Sequence, residues 1–288
     1  MRHLPALLLF LLLAANLPAQ KSPQTKQRNF DVQEALSQKL ISVTVQGTGG
    51  HHGACLKVTC KNLRGQSLRV RFPIGQLMAP VDSAQQTLVV AEEKWVNVTG
   101  KSPVEVMLHT FCTQAGEISP AKDALFSVSA IAPQVLCNVL KFIGEKGKMN
   151  EHAAQSAVWA ITNGYSLGSI GDPVLTKFVA DQLGKEVPGY KIKHKTVEYV
   201  PGRVADLGKA MVVEGNLRYY LEKDEKVRMV LLDSNGKFII NISKEELMVA
   251  GEHRSGLHLE VWNLVSGKYI VRLQGKDGRV IKDMEVEF

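Results

Sequence analysis

The stretch VEVMLHTFC, Val104 to Cys112, alternates apolar and polar residues, which indicates a β-strand with one buried face. The even-numbered positions are apolar up to residue 108, and continuing this phase through Thr110 brings Cys112 to the same face. His109 and Phe111 face the other way. We therefore expect the Cys112 thiol to point inward, at the inner end of this strand.

The same period of two runs from Leu40 to Cys112, interrupted by the turn-forming stretches GTGGHHG, NLRGQ and VTGKSP, and it predicts antiparallel strands of a β-sandwich. After Cys112 the pattern becomes helical. Helix-start and helix-stop residues predict about three helices; they are Pro133, Asn150, Gly164 and the pair Asp172-Pro173. We expect these helices to pack against the sheet, so that residues 40–184 form one α+β domain.

Residues 210–288 return to short alternating runs separated by turns such as DSNGK and KDG, which predicts a small immunoglobulin-like β-sandwich. The expected fold class is therefore mainly β with a helical insert. Residues 185–209 are basic and rich in Pro and Gly, and we interpret them as a solvated linker. Without aromatic residues at base-stacking spacing, this basic segment does not indicate a nucleic-acid partner.

The N-terminal residues indicate export. Arg2 precedes the apolar run LLLFLLLAA, and a cleavage site after Ala19 predicts a signal peptide over residues 1–19, followed by a polar lead-in over 20–39. No later segment is long and apolar enough to span a membrane. The expected location is secreted or at the cell surface, with the periplasm as the alternative.

The four cysteines, Cys55, Cys60, Cys112 and Cys137, lack metal-site spacing, and their connectivity stays open. Because Cys55 and Cys60 are five residues apart, on one strand they would face opposite sides. His51 and His52 are adjacent in a loop, but the sequence offers no third metal ligand at a useful spacing, so this loop does not indicate a metal site. No enzyme or phosphate-binding motif is present, so we expect neither an enzyme nor a cofactor or metal.

The helical stretch HAAQSAVWAITNG, residues 152–164, places a glutamine against its apolar face. Gln155 lies on the same face as Trp159 and Thr162, because positions four and seven apart coincide on a helix. A buried carboxamide without partners costs about 1–3 kcal/mol for each unpaired group. Gln155 should therefore be hydrogen-bonded or take part in chemistry.

The motif AQSAVW, Ala154 to Trp159, resembles the TQxA-containing motif of bacterial thioester domains, which occur on surface adhesins of Gram-positive bacteria. In that family a cysteine thiol and a glutamine side chain form an internal thioester that captures amines, and the cysteine follows an aromatic or leucine residue. FCTQ, Phe111 to Gln114, is similar. The resemblance implies Cys112 and Gln155 as the thioester pair. For that chemistry we expect His109 or His152 as the proton carrier, and burial against Trp159 would slow hydrolysis.

A structural interpretation stays open beside the chemical one. Gln155 would then hydrogen-bond the backbone where helix and sheet meet. Cys112 would be an inert buried thiol or would form a disulfide with Cys137.

The whole chain is similar to secreted Bacteroidota proteins that combine a Cys55-Leu56 strand and the two motifs above with a C-terminal FlgD-like immunoglobulin module. The Asn235-Gly236 turn and Ser266-Gly267 before Tyr269 also resemble sorting domains of type IX secretion, which implies the secretion machinery as a partner. We expect a secreted binding or adhesion protein whose ligand is a surface protein or polysaccharide. The alternatives are a structural envelope or matrix protein and, third, a secreted hydrolase.

Overall fold

The computed structural model describes residues 28–50 and 52–288; the expected signal peptide and the first part of the lead-in lie outside the described residues. The described chain is mainly β with few helices, as predicted. Its first half contains nine strands: β1 (Arg28–Asp31), β2 (Ile41–Thr48), β3 (His52–Asn62), β4 (Leu68–Phe72), β5 (Gln76–Pro80), β6 (Leu88–Val90), β7 (Lys94–Val98), β8 (Val104–Cys112) and β9 (Lys122–Ile131).

Six of these strands close into an antiparallel barrel in the order β2-β3-β8-β6-β5-β9, with β9 returning to β2. The three others form a side sheet in the order β1-β4-β7, beside the short helix α1 (Val32–Ser37). Alternate residues of the side sheet, such as Leu68, Val70 and Phe72, are fully buried in the same apolar core as the barrel strands. This first core contains Cys112, so the thiol-bearing face of β8 points inward as its period of two predicts.

Three longer helices follow β9 and form a layer on the barrel: α2 (Gln134–Glu145), α3 (His152–Thr162) and α4 (Pro173–Leu183). Their apolar faces enclose a second core, which Phe111 joins from the outer face of β8. Asp172 caps α4 as expected, since its carboxylate accepts a hydrogen bond from the Leu175 N–H at 2.8 Å. The expected cap of α3 was wrong, because α3 begins after Glu151 and not after Asn150.

The last part of the chain is a β-sandwich, as predicted. Its strands are β10 (Tyr190–His194), β11 (Ala210–Leu221), β12 (Glu225–Asp233), β13 (Phe238–Asn241), β14 (Glu246–Met248), β15 (Gly251–Glu260), β16 (Lys268–Gly275) and β17 (Val280–Glu287). One sheet has the order β10-β11-β15, and the other has the order β13-β12-β16-β17 with β14 also on β12. Apolar side chains from both sheets, including Leu217 and Leu257 on one and Leu231 and Val271 on the other, form a third core.

Residues 185–209 do not form the solvated linker that their basic composition indicated. Strand β10 lies within this segment and pairs with β11, where Lys191 and Lys193 both form ion pairs with Glu214, at 3.2 and 2.6 Å. In KIKHK, Lys191 and Lys193 flank Ile192, which is buried. The segment is therefore an edge strand, and its charged residues made it look like a linker. None of the helices in the described ranges has the length and apolar character needed to cross a membrane.

Candidate Cys112–Gln155 site

The side chain of Gln155 joins helix α3 to the end of strand β8. Its Oε1 accepts a hydrogen bond from the backbone N–H of Cys112 at 3.1 Å, and its Nε2 donates to the backbone carbonyl of Cys112 at 2.8 Å. Both residues are almost completely buried. The structure therefore brings together the two residues that the sequence motifs identified, although they lie 43 positions apart.

Strand pairing explains why the backbone of Cys112 is open to a side chain. On one side, β8 pairs with β6, and the ladder continues to the N–H of Thr113, which donates to the Thr87 carbonyl at 3.0 Å. On the other side, the described part of β3 begins at His52, opposite Phe111, so the pairing of the described residues stops one residue short of Cys112. The Gln155 carboxamide occupies this position and offers one acceptor and one donor, as a strand peptide would.

This arrangement has a chemical consequence for the Gln155 carbonyl. An attack on its carbon would place negative charge on Oε1, and the Cys112 N–H already donates to that oxygen. A preorganised N–H donor of this kind stabilises a developing oxyanion. Cys112 would thus supply both the nucleophilic sulfur and an oxyanion donor from its own backbone.

The Cys112 thiol is free and belongs to the first core. Burial raises its pKa well above 9.0, and the neighbouring Cys55 raises it further. The thiol therefore stays protonated at neutral pH, and a base must accept its proton if the sulfur is to attack. All four cysteines are free thiols. The disulfide between Cys112 and Cys137 that the sequence left open is not formed, because Cys137 lies in the second core.

Trp159 follows Gln155 by one helical turn, is fully buried and packs in the first core with Cys112. Its indole meets the ring of Tyr165 edge-on, with centroids 6.3 Å apart. The indole Nε1 is buried and has no hydrogen-bond partner within the described residues. The Trp159 ring therefore adds apolar surface to the core that contains Cys112, one helical turn after Gln155.

Two imidazoles and a phenol lie near the start of α3. The His152 ring is 6.0 Å from the His52 ring and 6.1 Å from the Tyr199 ring, between centroids. Burial, together with the proximity of His152, lowers the pKa of His52 below 6.5, so this ring is neutral at pH 7. Burial, Asp206 and the Cys112 thiol raise the pKa of Tyr199 to about 12. Tyr199 therefore lies near the Cys112 thiol, with His152 beside Tyr199 and His52 beside His152.

His109, the other histidine that the sequence offered as a proton carrier, is placed differently. Its Nδ1 lies 3.7 Å from the Glu92 carboxylate, and its side chain is partly exposed on the outer face of β8. Cys112 lies on the inner face of the same strand. The sequence pattern groups His52 only with His51, a residue outside the described ranges, in a loop that lacks a third metal ligand, and it gives no sign of the position of His52 near His152.

Comparison with known proteins adds little to this geometry. No known protein family matches the sequence, and no curated protein sequence matches it. Among solved structures, a β-glucosidase from Kluyveromyces marxianus aligns at a TM-score of 0.20 and 9% sequence identity. The alignment covers 81% of this chain and 44% of the glucosidase chain.

Proposed function

We propose that the chain is a secreted or surface-exposed binding protein that captures amines through an internal thioester between Cys112 and Gln155. One observation carries the proposal. The Gln155 carboxamide is buried and held against Cys112 by two hydrogen bonds, one of which polarises the carbonyl that a thiol would attack.

The reaction is an acyl transfer within the chain. The sulfur of Cys112 attacks the side-chain carbonyl carbon of Gln155, a C–S bond forms, and the C–N bond breaks. The departing NH₂ group takes up the thiol proton, carried by His52 or His152, and leaves as ammonia. An external primary amine then attacks the same carbon, the sulfur leaves as a thiol, and a stable amide joins the amine to Gln155. Each chain reacts once, so the protein is not an enzyme.

The burial of the pair supports this chemistry in two ways. Fixed packing gives the intramolecular attack a high effective concentration of the thiol. Exclusion of water also protects the thioester from hydrolysis once it has formed.

A structural role is the second candidate, and the same hydrogen bonds favour it. They satisfy the Cys112 N–H and carbonyl and both ends of the Gln155 carboxamide, so the contact fastens α3 to the barrel without any covalent step. The raised pKa of the Cys112 thiol also favours an inert thiol. An envelope or matrix protein would need nothing more from this pair.

The intact mass of freshly purified protein separates these two functions. A thioester lowers the mass by about 17 Da through loss of ammonia. The Cys112→Ala variant should lack this deficit. A deficit that persisted in the variant would have to come from another site. A wild-type mass without the deficit, and without the gain of about 1 Da that hydrolysis of a thioester to a glutamate side chain would leave, would favour the structural role.

A further inference from the structure

The segment between β10 and β11 is the loop of a hairpin that belongs to the C-terminal sandwich. His194 pairs with Ala210, and the Lys195 N–H donates to the Lys209 carbonyl at 2.8 Å, so the two ends of the segment are held together. We name residues 196–208 the cap loop. The loop therefore starts and ends in the same sheet of the C-terminal domain.

The cap loop extends from this sheet onto the N-terminal domain. At Ala205, the carbonyl accepts from the Gly116 N–H at 2.9 Å and the N–H donates to the Glu117 carbonyl at 3.1 Å. Ser119 adds two further bonds, from its N–H to the Arg203 carbonyl at 2.8 Å and from its Oγ to the Val200 carbonyl at 3.2 Å. The loop is therefore docked mainly through backbone hydrogen bonds on the segment that follows Cys112.

The docked loop closes the first core beside the candidate site. Ala205 is only 1% exposed and belongs to the same apolar cluster as Cys112 and Trp159, and Tyr199 and Leu207 pack against that cluster. Side chains of the C-terminal domain's hairpin thus complete the burial of the Cys112 site.

We infer that the cap loop gates the site: docked, it keeps water and amines from the Cys112–Gln155 bond, and undocked, it admits them. The inference rests on the proposed function and adds its regulation. Opening withdraws only Ala205, Tyr199 and Leu207 from the first core, and water can replace the backbone bonds of the loop, so the rest of both cores stays packed. A partner that binds or pulls the C-terminal domain would therefore control amine capture through this loop.

Two neighbouring substitutions test the gate. Ala205→Asp places a charge in the first core and should displace the loop, whereas Val204→Asp places the same charge at a side chain that is 55% exposed. Both full-length variants are treated with methylamine to free any thioester and then with N-ethylmaleimide, and peptide mapping measures the labelling rate of Cys112. We expect Cys112 to react at least about tenfold faster in Ala205→Asp than in Val204→Asp.

Equal labelling rates in two folded variants would overturn the gate. If Ala205→Asp does not fold, the Ser119→Ala variant takes its place, because this substitution removes one hydrogen bond to the loop. The control is then Ser127→Ala, which removes an exposed hydrogen bond to the Ala79 carbonyl. Faster labelling in Ser119→Ala than in Ser127→Ala supports the gate, and equal rates overturn it. Because labelling requires only the thiol, the test stands even if the wild-type mass shows that no thioester forms.

Discussion

The carboxamide of Gln155 and the backbone of Cys112 form two hydrogen bonds of opposite direction, and these bonds connect the end of the barrel strand β8 to the helix α3. The contact links the two cores of the N-terminal domain, one inside the barrel and one between the barrel and the helices. Both the proposed chemistry and the stability of this domain depend on it.

Replacing Gln155 should therefore destabilise the protein whether or not a thioester forms. Gln155→Ala leaves the buried N–H and carbonyl of Cys112 without partners and opens a cavity, and we expect a loss of about 3–5 kcal/mol in the free energy of unfolding. The neighbouring Ser156→Ala removes only a local bond to the His152 carbonyl and should cost about 1 kcal/mol or less. Urea denaturation measures both, and similar losses would contradict the structural role of the Gln155 bonds.

The neutral state of His52 can be observed directly. Burial and His152 lower its pKa from 6.5, so its ring should titrate below that value in an NMR pH series. Because the folded pKa is depressed, this group makes the protein less stable as the pH falls below about 6.5. His152→Ala removes one of the two causes and should raise the midpoint, and an unchanged midpoint would show that the two rings do not interact.

Cys60 should give the protein an alkaline limit of stability. Burial raises its pKa from 9.0 to about 11. Between these values the unfolded chain releases the proton while the native thiol keeps it, so the free energy of unfolding should fall by about 2–3 kcal/mol through this residue. Cys60→Ala should reduce the decline between pH 9 and 11, as measured by urea denaturation. Thr59→Ala, on the same strand, should leave it unchanged, and equal declines in the two variants would refute the assignment.

Asp172 combines a helix cap with an ion pair, and two substitutions separate them. One carboxylate oxygen accepts from the Leu175 N–H, and the other lies 2.8 Å from Lys148 Nζ. Asp172→Ala removes both contacts and should lower the free energy of unfolding by about 1–2 kcal/mol, whereas Asp172→Asn keeps the cap and should lose less. An equal loss in the two variants would show that the ion pair, which both of them lack, contributes the stability and that the cap does not.

The sequence predicted those features whose signal is local. The period of two in Val104–Cys112 placed the Cys112 thiol inward, and the Asp172-Pro173 pair predicted the start of α4. The alternating runs after residue 210 predicted the C-terminal sandwich. In each case neighbouring residues alone carry the information.

The features that the sequence did not predict depend on long-range contacts. Closure of the barrel needs β5 and β6, but β6 is the run LVV, whose residues are all buried and do not alternate. One interpretation of the sequence gave Gln155 a backbone partner where helix and sheet meet, but it could not name the Cys112 N–H and carbonyl, because a backbone leaves no residue pattern. The cap loop is also docked mainly through backbone bonds, so its sequence resembles that of a solvated linker. Only the folded chain brings these groups together.

Peptide mapping after treatment with isotopically labelled methylamine tests the central claim most directly. If Cys112 and Gln155 form a thioester, the label appears on the Gln155 side chain, where –NHCH₃ replaces –NH₂ and adds about 14 Da plus the extra mass of the isotope, and Cys112 is left as a free thiol. The Cys112→Ala variant should incorporate no label. An unlabelled Gln155 in wild-type protein, purified without loss of the bond to hydrolysis, would contradict the account.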